Sequence, residues 1–161
     1  MSQHAISSHQ SLAEQPSKQR LRLWIRLLRA TRFIEGEIRE RLRREMDTTL
    51  PRFDVMAALD RAGKPMTMTE LSRYLMVSNG NVTGIIDRLA DDGLVTRSRQ
   101  PADRRSHVVE LTEVGKAAFA DMAGAHERWV DELLAPVDMD DAIDAIDILK
   151  RFERARRGPF P

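Results

Sequence analysis

The chain has 161 residues, 42% of them hydrophobic, enough to build a core for one domain of ordinary size. It has no cysteine, which excludes disulfides and thiolate metal sites. The formal net charge of +1 conceals an uneven distribution: Lys18 to Arg44 holds ten Lys or Arg against three Glu, and Asp121 to Asp147 holds nine acids against Arg128 alone, so near-neutrality does not argue against a polyanionic partner.

Residues 1–17, rich in Ser, Gln and His, read as a disordered tail. Lacking a basic start and an apolar stretch, they are not expected to be a secretory signal. A first long helix is expected over about 20–46, with Leu21, Ile25, Leu28, Ile34, Ile38 and Leu42 as its apolar stripe. Pro51 suits the first turn of a second helix, which carries Phe53, Met56, Ala57 and Leu59 to a stop at Gly63. No run of about eighteen apolar residues occurs, so no membrane span is expected.

From Thr69 to Leu89 two short helices follow, separated at Met76-Val77. Leu71, Leu75, Val77, Val82, Ile85, Ile86 and Leu89 recur at helical spacing with one interruption, so the two helices are expected to share a small core and cross at an angle. Ser72 is small where they approach. Ser78 suits the N-cap of the second helix, and Asp92-Gly93 closes it. Its outer face carries Asn79, Gly80, Asn81, Thr83, Gly84, Asp87 and Arg88, small or hydrogen-bonding groups of the kind that read base edges in a groove. Arg88 is expected either to reach phosphate or base at the groove margin or to pair with Asp87, Asp91 or Asp92.

A basic hairpin comes next, with strands Leu94–Arg99 and Ser106–Leu111 and the tip Gln100–Arg105. Arg97, Arg99, Arg104 and Arg105 against Asp103 make a local cationic patch suited to phosphates. Thr112 then caps a long helix bearing Val114, Ala118, Met122, Trp129, Leu133 and Leu134. Pro136 interrupts it, and a last helix over about 140–157 places Ile143, Ile146, Leu149 and Phe152 three residues apart, acids early and bases late as the helix dipole favours.

The segment Thr69–Thr112 resembles the winged helix-turn-helix of the MarR family of bacterial transcription regulators. The return strand carries that family's wing signature as Asp103-x-Arg105-x-x-x-Val109-x-Leu111-Thr112, followed by Gly115, and the likeness extends from about Leu21 to Arg157. One departure is Met76, where many helix-turn-helix motifs place glycine. The expected fold is mainly α with a small β-hairpin wing: residues 18–157 form one MarR-like domain, with the winged module at about 50–111 and long dimerisation helices at about 20–46 and 112–157. The absence of cysteine excludes the thiol-based peroxide sensing of some members, and a reducing cytoplasm is compatible.

The resemblance implies a homodimer whose N- and C-terminal helices interlock and which reads a palindromic operator in double-stranded DNA. DNA contacts are expected from Ser78, Asn79, Asn81, Thr83, Arg88, Arg97, Arg99, Asp103, Arg104 and Arg105, with Asp103 accepting from Arg105 and one of the two adjacent arginines entering the minor groove. The resemblance also implies a pocket between the long helices and the DNA-binding part, for a phenolic or aromatic carboxylate or an aromatic acyl-CoA thioester. Arg22, Arg26, Arg29 and Arg32, near Trp24 and Phe33, either hold such an anionic aromatic effector or serve solubility or the dimer. No cofactor is expected.

An enzyme finds little support. His4, His9, His107 and His126 lack metal-ligand spacing, Gly63-Lys64 is not a phosphate loop, and Asp138, Asp140, Asp141, Asp144 and Asp147 match no calcium loop. A non-specific, architectural DNA binder that uses the wing arginines without reading bases is the alternative.

Overall fold

The computed structural model describes residues 16–100 and 103–156, and at residues 79, 99–100, 103–106 and 156 the backbone only. The elements in chain order are α1 (Pro16–Met46), α2 (Leu50–Ala62), β1 (Met66–Thr67), α3 (Met68–Leu75), α4 (Asn79–Asp91), β2 (Val95–Gln100), β3 (Asp103–Leu111), α5 (Glu113–Leu134) and α6 (Met139–Arg156). The fold is mostly helical with one small antiparallel sheet, ordered β1-β3-β2. The chain divides into two units, Met1–Asp47 and Thr48–Pro161.

In the first unit α1 begins at Pro16, four residues before the expected start, because Pro is favourable at a helix's first turn. Its buried residues are Ile38 and Leu42, whereas Leu21, Leu23, Trp24, Ile25, Leu27 and Phe33 are exposed. The expected tail residues 1–15 lie outside the described residues.

The second unit is organised around α2, whose Phe53, Val55, Met56, Ala58 and Leu59 are all buried. Apolar side chains on nearly every side of this helix explain why its sequence shows no clean stripe. Gly63 ends it in the left-handed conformation (φ 60°), as expected. Leu71 of α3 and Val82, Ile86 and Leu89 of α4 are fully buried, forming the shared core of the two short helices. Leu75 and Ile85 are only half-buried, and Val77 is 41% exposed, because the turn carries it outside the helix crossing.

The two-residue β1 was not anticipated. Met66 and Thr67 pair with Val109 and Val108 of β3, so Thr67 leaves the strand and enters α3 as its N-cap. The hairpin pairs Val95 with Leu111 and Arg97 with Val109, and the register shifts between Arg99 and Gln100. β3 starts at Asp103, which makes the tip shorter than expected. On α5 the buried residues are Gly115, Phe119, Met122, Ala125 and Trp129, one stripe at helical spacing. Phe53 of α2 meets Phe119 at 5.6 Å and stacks on His126 at 4.8 Å between ring centroids. On α6, by contrast, Ile143, Ile146, Ile148, Leu149 and Phe152 are all exposed.

Candidate nucleic-acid interface

Each end of the short helices is fixed by a local hydrogen-bonding device. Thr67 Oγ1 accepts from the Glu70 N–H at 3.2 Å, and the Glu70 carboxylate accepts from the Thr67 N–H at 2.7 Å, a reciprocal capping box. The Thr67 N–H, then its hydroxyl, hold the Glu70 carboxyl below its ordinary range. α3 ends at Met76, whose backbone is left-handed (φ 54°, ψ 37°), and the Val77 N–H closes the turn on the Ser72 carbonyl at 3.1 Å. Glycine is usual there because it carries no Cβ to clash; here Met76 adopts the same geometry with a side chain 82% exposed. Ser78 then caps α4, accepting from the Asn81 N–H at 3.4 Å. Gly93 (φ 70°) lets the chain turn out of α4 into β2.

With Val82, Ile86 and Leu89 fixed in the core, helical periodicity sets what points away from it. Gly80, Gly84 and Asp87 form the outward ridge of α4, with Asn81 along one flank and Thr83 along the other. All five are exposed. A Cβ built on Gly80 or Gly84 would meet nothing within 4 Å, so packing inside the chain requires neither glycine.

The structure gives several expected DNA contacts defined surroundings. The Arg97 guanidinium on β2 pairs with Asp87 of α4 at 2.5 Å and approaches the Thr83 carbonyl at 3.5 Å, bridging the hairpin to α4. Arg88 takes no ion-pair partner among the described residues: Asp87 is paired with Arg97, and Asp92 with Arg52 of α2 at 2.5 Å. The side chains of Asn79, Arg99, Asp103, Arg104 and Arg105 lie outside the described residues, and with them the expected Asp103–Arg105 hydrogen bond. Of the residues expected to hold an effector, Arg22, Arg26 and Arg29 are exposed on α1, together with Trp24 at 58% and Phe33 at 61%.

A cavity of about 550 Å³ runs between the start of α2 and one flank of α4, where Thr49 and Arg52 face Gly80, Asn81, Gly84 and Arg88. Arg52 and Asp92 are forty positions apart, and no local pattern announces that pairing. Pro51 marked the helix start but not what the next side chain would reach. Among the described residues no group of His, Asp or Glu is arranged to hold a metal ion, and no helix is long and apolar enough to cross a membrane.

The model of the MarR family matches residues 48–107, the stretch from the start of α2 to the wing. YfiV, an HTH-type transcriptional regulator of Bacillus subtilis, is 31% identical over 129 residues, which cover 76% of this chain and 77% of that protein. The transcriptional activatory protein BadR of Rhodopseudomonas palustris is 32% identical over 113 residues, 68% of this chain and 65% of that protein. Among solved structures, a MarR family transcriptional regulator from Silicibacter pomeroyi is 31% identical with a TM-score of 0.74, covering 89% of this chain and 100% of that one.

Proposed function

The chain belongs to the MarR family of DNA-binding transcriptional regulators, and from that premise we propose that it acts as a homodimer which reads a palindromic operator and is released by a small anionic aromatic effector. Its relatives are regulators of transcription, not enzymes. The observation that carries the base-reading part is the outer face of α4: a core-anchored, doubly capped helix presenting Asn81 and Thr83 on either side of a ridge with no side chain at Gly80 and Gly84. Asn is the side chain whose amide matches adenine in the major groove. Arg104 or Arg105, at the end of a two-stranded arm, supplies the charge for a narrow A·T-rich minor groove.

The dimer is supported by the apolar surface that each unit leaves uncovered. α1 exposes Leu21, Leu23, Trp24, Ile25 and Leu27, and α6 exposes Ile143, Ile146, Leu149 and Phe152. Apolar patches of this extent mark interfaces, and a two-fold pairing sets two recognition helices about one DNA turn apart. Arg22, Arg26 and Arg29 make no ion pair among the described residues, and no carboxylate occurs between Pro16 and Ile34 to neutralise them. These guanidiniums, which helical spacing sets on one face of α1 with Phe33, suit an aromatic carboxylate, a phenol or an aromatic acyl-CoA. Such an effector acts by binding the DNA-competent and DNA-incompetent spacings unequally.

The expected sign of regulation is repression, which needs only an operator overlapping a promoter. The similarity to BadR, an activatory protein, favours activation as a second reading, and the operator's position decides between them. The test is selection of binding sites from random duplex DNA by the purified chain, followed by release with aromatic acids and their CoA esters. A palindrome with A·T-rich flanks, and release accompanied by a change in tryptophan fluorescence, is the expected result. A specificity ratio near one would instead assign the chain to the architectural, non-specific binders.

A further inference from the structure

We propose that the trough between α2 and α4 receives a phosphate of the DNA backbone, held by Arg52 and Arg88. Resting on the DNA-binding reading above, this adds a positioning site on the side of α4 opposite the wing and accounts for groups that the fold leaves unused. The Nε–H of Arg52 is buried without a hydrogen-bond acceptor, while the same guanidinium's Nη2 is held by Asp92 at 2.5 Å. That ion pair fixes the guanidinium in the wall of the trough, where the side chain keeps 20% of its surface exposed. Across the trough Arg88 has no ion-pair partner among the described residues.

Two further details fit an anionic backbone better than a side chain of this protein. Thr49 is the N-cap of α2, yet its hydroxyl caps no backbone N–H, and the first turn of α2 has no acidic residue. Such a helix start favours negative charge. On the opposite wall Gly80 and Gly84 leave the α4 backbone bare, although Ala is the better helix former and a Cβ at either position would meet nothing in the chain. Glycine in a helix that the fold does not require is explained where another backbone approaches closely. With the phosphate anchored here and Arg97 and the wing on the far flank, α4 is held from both sides, and its depth in the groove is fixed.

A phosphate contact is independent of sequence, so its signature is the salt dependence of binding to random duplex DNA. Fluorescence anisotropy with the full chain should show that Arg52→Gln and Arg88→Gln each weaken binding and reduce the slope of log K against log salt by about 0.9. Asp92→Asn, which frees Arg52 from its ion pair but keeps its charge, should retain the parent slope. Gly84→Ala should melt at or above the parent temperature yet bind DNA roughly tenfold more weakly. A folded Arg52→Gln or Arg88→Gln variant with the parent slope overturns the proposal, as does Gly84→Ala binding at parent affinity. Loss of slope in Asp92→Asn would make Arg52 a structural residue only. If inorganic phosphate raised the melting temperature of the parent but not of Arg52→Gln while the DNA slopes stayed equal, the trough would be a free-anion site instead. A parent chain that binds no duplex DNA at any salt concentration would remove the regulator reading as well.

Discussion

Gly115 lies directly beneath the carbonyl of Leu94, so close that a Cβ added to it would sit 1.9 Å from the carbonyl oxygen. The approach is enforced by Thr112, whose hydroxyl donates to the Gly93 carbonyl at 2.7 Å and accepts from the Gly115 N–H at 2.9 Å. One threonine thereby caps α5 and ties it to the segment joining α4 to β2. The glycine that follows the wing signature is thus a packing requirement at the hairpin's root. Gly115→Ala is expected to destabilise the chain by about 1–3 kcal/mol, as forced overpacking does, with urea unfolding as the measure. A parent-like midpoint would show that Leu94 moves aside freely.

Met76 poses the opposite case, a side chain where none is needed. Left-handed backbone costs a residue with a Cβ about 1–2 kcal/mol, and at 82% exposure the Met76 side chain recovers little of this through burial. Met76→Gly removes that cost but gives the unfolded chain more freedom, a penalty of about 0.5–1 kcal/mol. The net expectation is a gain of up to about 1 kcal/mol, with Met76→Ala close to the parent. Destabilisation by the glycine variant in urea unfolding would show that Met76 contributes contacts beyond its backbone.

Much of this arrangement was legible in the sequence because it is local. Ser78, Gly63, Gly93 and, in its capping of α5, Thr112 act within one turn of themselves, and the residues that cap or close those helices stand at fixed offsets. The same signal was present at Thr67-x-x-Glu70, a capping box that moves the start of α3 back from Thr69 to Met68. What local pattern could not carry was pairing at a distance. Met66 and Thr67 have no periodicity of their own and form a strand only because Val108 and Val109 are beside them. Arg52–Asp92 and Arg97–Asp87 join separate elements through long side chains, and no spacing rule links their positions. Val77 has the right composition for the core, but the left-handed turn at Met76 directs it outward.

His126 should make stability depend on pH. Burial against Phe53 disfavours its charged form and lowers its pKa from 6.5. Well above pH 6.5 the residue is neutral in both the folded and unfolded chain and contributes no pH dependence. As pH falls below that value the unfolded chain takes up the proton first, so stability drops until the lowered folded pKa is passed. His126→Phe preserves the ring on Phe53 and should flatten this part of the profile, as followed by urea midpoints from pH 7.5 to 5. An equally steep fall in the variant would place the titrating group elsewhere.

The Arg97–Asp87 pair is expected to matter for DNA far more than for folding. Both side chains are substantially exposed, at 34% and 53%, and pairs of that kind stabilise by about 0–1 kcal/mol at most. A double-mutant cycle with Arg97→Gln and Asp87→Asn should therefore give little coupling in urea unfolding. On DNA the geometry has a different consequence, because Asp87 stands on the outward ridge of α4 and would meet the phosphates as a bare carboxylate without its partner. Arg97→Gln should weaken binding to both specific and random duplex DNA, and adding Asp87→Asn should recover part of the loss by removing the repelling charge. The double variant should thus bind more tightly than the Arg97→Gln single variant. If it binds no better, Arg97 acts on the DNA directly, and the shielding of Asp87 contributes nothing to affinity.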